Sequence, residues 1–118
     1  MQQPHIDDYS FGQMVIDGTR HSSDLIIRSD GTVTANWWRQ EGHNLVPADI
    51  TGVWETEPEL LLVGTGASGM MRVSEEVQEE CRRRGIRLES GRTATAATRY
   101  NEEADGDSSV AACFHLTC

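Results

Sequence analysis

Hydrophobic and polar positions change their spacing once along this chain, near residue 59. Before it, short apolar runs are separated by turn residues. Met14-Val15-Ile16 predicts a strand ending at the turn Asp17-Gly18, and Leu25-Ile26-Ile27-Arg28 predicts a second. Ser29-Asp30-Gly31-Thr32 carries the Asp-Gly pair that favours a hairpin turn. The returning strand, Thr32 to Trp38, places Val33, Ala35 and Trp37 on one face and Thr34, Asn36 and Trp38 on the other. Trp37 is expected in the core and Trp38 on a rim. Arg39 to Asn44 is polar and predicts a loop. Pro47 fits the first position of a short helix reaching about Val53, with Ile50 and Val53 facing inward.

After residue 59 the pattern alternates between strands and helices. Leu60-Leu61-Leu62-Val63, bounded by Glu57-Pro58-Glu59 and Gly64-Thr65-Gly66-Ala67-Ser68-Gly69, predicts a short strand buried on both faces. Ser74 is a natural N-cap, with Glu75 and Glu76 in the first turn and Arg82, Arg83 and Arg84 in the last, as the helix dipole favours. Gly85 supplies the left-handed residue that ends the helix. Met70, Val73, Val77 and Cys81 are expected on its buried stripe. Ile86 and Leu88 alternate with Arg87 and Glu89 as a further strand. Thr93 opens a second helix, whose small face of Ala94, Ala97 and Tyr100 suits close approach to a sheet. Val110 to Leu116 is a last buried strand. Leu60–Val63 is thus expected at the centre, with parallel neighbours near residues 86–88 and 110–116, joined by right-handed crossovers.

Charge removes several functions. The chain has 10 basic against 19 acidic residues, a net charge of −9, which opposes non-specific binding to nucleic acid or an anionic membrane. Every basic residue is an arginine, so lysine Schiff-base and P-loop chemistry are excluded. No apolar run approaches the ~20 residues that span a bilayer, and no signal peptide is visible at the start. Three cysteines, an odd number, fit a reduced cytoplasmic protein.

Gly12 through His21, Trp38-Arg39 with Glu41-Gly42-His43, Pro47-Ala48-Asp49-Ile50, the strand with Gly64-Thr65-Gly66, and Phe114-His115 with Thr117-Cys118 occur in a characteristic order. Together they resemble the adipogenesis-associated Mth-domain family, whose eukaryotic relatives include a mitochondrial assembly factor for respiratory complex I. The resemblance implies a single three-layer α/β domain over residues 11–118, after an N-terminal tail over residues 1–10. It also implies a central mixed, mostly parallel sheet with additional N-terminal β-hairpin structure. Because most such proteins have no assigned activity, it implies little about chemistry.

Each candidate for chemistry has a structural competitor. Gly64-x-Gly66-x-x-Gly69 after a strand, with Glu89 at the end of the next, imitates a dinucleotide fingerprint. The helix starting at Ser74 is displaced from those glycines, so a structural turn is the stronger reading. Cys113, His115 and Cys118 offer thiol or zinc chemistry, but no Cys-x-x-Cys pair supplies a fourth ligand, and neither a metal nor a cofactor is expected. The charges of residues 75–84 form i,i+3 and i,i+4 pairs on a solvated helix face. A ligand, if bound, is expected beyond the carboxyl ends of the parallel strands, at Gly64, Thr65, Gly66 and Ser68 with Arg39 and His43. The favoured function is a non-enzymatic binding or assembly-type protein, a monomer or weak homodimer with a protein partner. The resemblance links it to respiratory complex assembly. The alternative is a small-molecule or anion-binding enzyme using the Gly64–Gly69 loop.

Overall fold

The structure, a computed structural model, describes residues 3–118. Strands β1 (Ile6–Ser10), β2 (Gln13–Ile16) and β3 (Thr19–His21) form an antiparallel sheet. Asp17 and Gly18, at φ 47° and 80°, turn the chain between β2 and β3. Strands β4 (Leu25–Ile27) and β5 (Val33–Thr34) make the hairpin signalled by Asp30-Gly31. After β6 (Asn44–Leu45), a 3-10 turn at Pro47–Ile50 leads into α1 (Thr51–Glu55). Then come β7 (Leu60–Gly64), β8 (Arg72–Val73), α2 (Glu75–Arg84), β9 (Arg87–Gly91), α3 (Thr93–Ala104) and β10 (Val110–Phe114).

Five strands pair in the order β5-β4-β10-β7-β9. β7 is parallel to both β10 and β9, whereas β10–β4 and β4–β5 are antiparallel. The pairing is evenly mixed rather than mostly parallel, because the β4–β5 hairpin joins the same sheet. Side chains of β7 alternate between two cores. Leu60 and Leu62 pack with Tyr100, Phe114, Met14 and Ile16 on one face, under α3 and the N-terminal sheet. Leu61 and Val63 pack with Ile50, Val53, Val77 and Cys81 on the other, under α1 and α2. Burying such a Leu side chain stabilises by roughly 1.5–3 kcal/mol, which anchors β7 from both sides.

The caps act as the sequence requires. Ser74 Oγ accepts from the Val77 N–H at 3.3 Å, and Gly85, at φ 72°, ends α2. Other expectations need correction. Ile6–Ser10 is not tail but β1, with Ile6 buried; Met1 and Gln2 lie outside the described residues. Asn101 holds this strand, accepting from the Ile6 N–H at 2.9 Å and donating to its carbonyl at 2.8 Å. One isoleucine beside two aspartates has no period to betray it. The strand after Gly31 stops at Thr34, because Asn36 takes a left-handed φ of 54°. That kink separates Val33 and Trp37, expected on one face, into opposite cores. Trp37 is nevertheless buried and Trp38 exposed. Met71 is buried in place of Met70, since β8 intervenes before α2. The buried stripe of α3 is Thr93, Ala96, Ala97 and Tyr100, while Ala94 faces out.

Candidate functional site

The polar cluster of the molecule is built where β7 and β10 end. β4 runs antiparallel to β10 with Leu25 opposite Phe114, so Asp24 and His115 emerge side by side. Asp24 Oδ1 accepts from the Leu116 N–H at 2.7 Å, and Oδ2 lies 2.8 Å from His115 Nδ1. Arg39 Nη1 also lies 2.8 Å from Oδ2, an ion pair by distance rather than an aligned hydrogen bond. Burial alone would raise the Asp24 carboxyl. The Leu116 N–H, His115 and Arg39 outweigh it and hold the carboxyl below its usual range.

Arg39 is itself buried. Its Nε and Nη2 donate to the Gly42 carbonyl at 3.1 and 2.7 Å, and its guanidinium sits 4.6 Å from the centre of the Trp37 ring. The Trp37 indole N–H donates to the Asp49 carbonyl at 2.8 Å. The exposed His43 ring meets that of His115 edge-on, with centroids 5.5 Å apart. With Nδ1 facing the carboxylate, His115 Nε2 is buried without a hydrogen-bond partner.

Gly64–Gly69 packs against the same cluster. A Cβ on Gly66 would lie 2.9 Å from His115 Cδ2 and 2.3 Å from the Cys118 main-chain carbon. Arg39, His43 and Gly66 therefore share one end of the sheet. The main-chain N–H groups of the loop, which a bound anion would need, are engaged within the protein. The N–H groups of Thr65, Gly66 and Ala67 donate to the Gly91 carbonyl, Thr93 Oγ1 and the Thr117 carbonyl. Those of Ser68 and Met70 go to the Cys118 main-chain oxygen, Gly69 to Gly66 and Met71 to Thr65. The dinucleotide pattern fails further, since β8 separates the loop from α2, and Glu89 receives two 3.1 Å hydrogen bonds from Arg99. The helices after β7 and β9 cover opposite cores, which makes the gap between β7 and β10 the topological switch point. Residues 115–118 fill it.

Sequence reasoning missed Asp24 and Thr93. Thr93 Oγ1 donates to the His115 carbonyl at 2.6 Å while accepting from the Gly66 N–H at 2.9 Å. It thereby joins α3, the loop and the last strand. The only sequence signal for Asp24 was an acid next to a predicted strand. Burial pushes the Cys113 thiol up to about 12 and the Cys81 thiol to about 11, whereas Cys118 is exposed. The Cys113–His115–Cys118 grouping does not form a metal centre: no group of three ligating side chains gathers among the described residues. A hollow of about 530 Å³ lies elsewhere, beside Gln3, Ser29 and residues 104–109 at the amino end of β10.

A model of a family described as a protein of unknown function (DUF498/DUF598) matches residues 6–115. The chain belongs to this family. The fold recurs in solved structures that cover nearly all of it. A conserved hypothetical protein of Pyrococcus horikoshii is 24% identical, over 96% of this chain and 98% of its own, with a TM-score of 0.82. A protein of Bartonella henselae described as an outer membrane protein is 24% identical, over 99% and 98%, with a TM-score of 0.84. A Bordetella pertussis protein described as a Mth938-like domain is 20% identical, over 96% and 85%, with a TM-score of 0.68. The Mth-type resemblance read from the sequence is thereby borne out. Among the described residues of this DUF498/DUF598 member, no helix is long and apolar enough to cross a membrane.

Proposed function

We propose that this protein works by binding another protein, as a non-enzymatic, assembly-type factor of a reducing cytoplasm. One observation carries the reading. In open α/β sheets, small ligands settle beyond the carboxyl ends of the strands at the switch point. Here that place is filled by residues 115–118, and the Thr117 and Cys118 main-chain oxygens take the N–H groups of Ala67, Ser68 and Met70 that a phosphate would need. The three-layer Mth-type scaffold then serves to present surface, and the resemblance to a complex I assembly factor supports an assembly role. A monomer or weak homodimer without a cofactor fits this reading.

A second reading keeps the same end of the sheet as a small-molecule or anion site, with Arg39 and His43 beside Gly64, Thr65, Gly66 and Ser68. The unpartnered His115 Nε2 favours it. Native affinity capture from the source cell separates the two, with mass spectrometry of proteins and small molecules together. A stoichiometric protein that stays bound through gel filtration is the expected result. A stoichiometric metabolite with no protein would replace the first reading by the second.

A further inference from the structure

The large exposed apolar side chains of the described residues are Phe11, Trp38 and Met70, at 66%, 76% and 54% exposure. They lie far apart in sequence, yet each belongs to a segment tied to the end of β10. Gly12, next to Phe11, donates its N–H to the Leu116 carbonyl at 2.8 Å. Met70 donates its N–H to the Cys118 main-chain oxygen at 3.1 Å. Trp38 sits between Trp37, whose N–H donates to the Asp24 carbonyl, and Arg39, whose side chain pairs with Asp24 beside His115. The three segments that carry these exposed side chains thus converge on residues 115–118, and apolar side chains gathered at one place mark an interaction site where scattered ones do not. Trp anchors interfaces and Met adapts to the partner's shape.

Unpaired arginines add a charge of one sign to this end. The arginines of α2, β9 and α3 pair with glutamates, as at Arg82, Arg83, Arg84, Arg87 and Arg99. Arg20, Arg72 and Arg92 are exposed and form no ion pair among the described residues, and the last two belong to the segments around the glycine loop. Arg72 follows Met70 and Met71. The Arg92 side chain comes within 3.6 Å of the Cβ position of Gly69, at the other side of the loop. In a chain of net charge −9, two guanidiniums outside any ion pair thus belong to the segments next to the exposed methionine. Such a site attracts carboxylates and repels the basic segments that the rest of the surface would draw.

We propose that this end of the sheet docks an acidic, apolar segment of another protein. Its apolar side chains pack against Phe11, Trp38 and Met70, and its carboxylates pair with Arg72 and Arg92. The proposal rests on the protein-binding reading above and adds the surface and the chemistry of the partner. The main chain beneath is held by the hydrogen bonds of Ala67, Ser68 and Met70 to residues 117–118, so little ordering is required on docking.

Random peptide display against the immobilised full chain tests it, followed by synthesis of the enriched peptides. Enriched sequences should carry Asp and Glu interleaved with Leu, Phe or Trp. Their binding should weaken at least about tenfold in Arg72→Glu/Arg92→Glu and in Trp38→Ser/Met70→Ser, and should also weaken with added salt. All four positions are exposed, and circular dichroism of each variant checks that it folds. No enrichment, enrichment without acidic residues, or binding by either variant as tight as by the wild type would overturn the proposal. So would a dimer of this chain that Trp38→Ser/Met70→Ser dissolves, since a second copy would then own the surface. If native capture yields a protein partner that both variants retain, the docking surface fails while the protein-binding reading stands.

Discussion

Thr93 and Gly66 meet across 27 positions of sequence: the Gly66 N–H donates to Thr93 Oγ1 at 2.9 Å, and that hydroxyl donates onward to the His115 carbonyl at 2.6 Å. One buried hydroxyl thus satisfies a donor of the loop and an acceptor of the segment beyond β10. Removing it should cost more than a methyl-for-hydroxyl exchange at the surface. Thr93→Val should destabilise by about 1–3 kcal/mol, because a buried N–H and C=O lose their partner. Thr93→Ser should lose clearly less. Urea unfolding of both variants measures the difference, and equal losses would show that the hydroxyl contributes nothing.

Gly66 also explains why the segment lies where it does. At φ 110°, with the Cys118 main-chain carbon 2.3 Å from the position of a Cβ, no side chain fits without moving backbone. Gly66→Ala should lower stability by about 1–3 kcal/mol through strain. It should also lift residues 117–118 from the loop. Faster amide exchange at Ala67 and Ser68, whose N–H groups donate to that segment, is the readout. Unchanged exchange would separate the strain from the docking of the segment.

The Asp24–Arg39 pair is expected to be costly to break on one side only. Asp24→Asn leaves the Arg39 guanidinium buried without its carboxylate and should destabilise by about 3 kcal/mol at neutral pH. Because the folded carboxyl titrates below its usual range, its stabilising contribution is complete above the unfolded value, about pH 3.9, and disappears as pH falls through the lower folded value. Denaturation midpoints of wild type and Asp24→Asn should therefore converge as pH falls through the lowered folded-state value. A gap of constant size down to the acid limit would mean that lost packing, not charge, causes the effect.

The thiols should react in order of burial. Cys118 is exposed and should take up a thiol reagent in the native state. Cys81 and Cys113, whose thiolates burial disfavours, should react only on unfolding. Mass spectrometry after brief labelling, with and without urea, reads this directly. Native labelling of Cys113 would contradict the burial of β10.

The sequence by itself determined what depends on near neighbours. Ser74 and Gly85 bound α2 because capping is a matter of three or four adjacent residues, and Asp17-Gly18 and Asp30-Gly31 turn because their own backbones tolerate it. Four apolar residues in a row at Leu60–Val63 sufficed to predict a strand buried on both faces. Ile6–Ser10 escaped because its pairing with β2 and its clasp by Asn101 lie outside its own pattern. Asn36 hid as well, since a polar residue in an alternating run looks like a solvent-facing strand position until its φ is known. The site belonged to the tertiary structure almost entirely. Arg39, His43 and the glycine loop were legible as separate polar features. Their meeting depends on Asp24 and His115, 91 positions apart, which adjoin only because β4 runs antiparallel to β10. Whether loop N–H groups remain free is likewise a question of what packs beside them. Here residues 117–118 take several of those hydrogen bonds, and no local pattern of glycines encodes that competition.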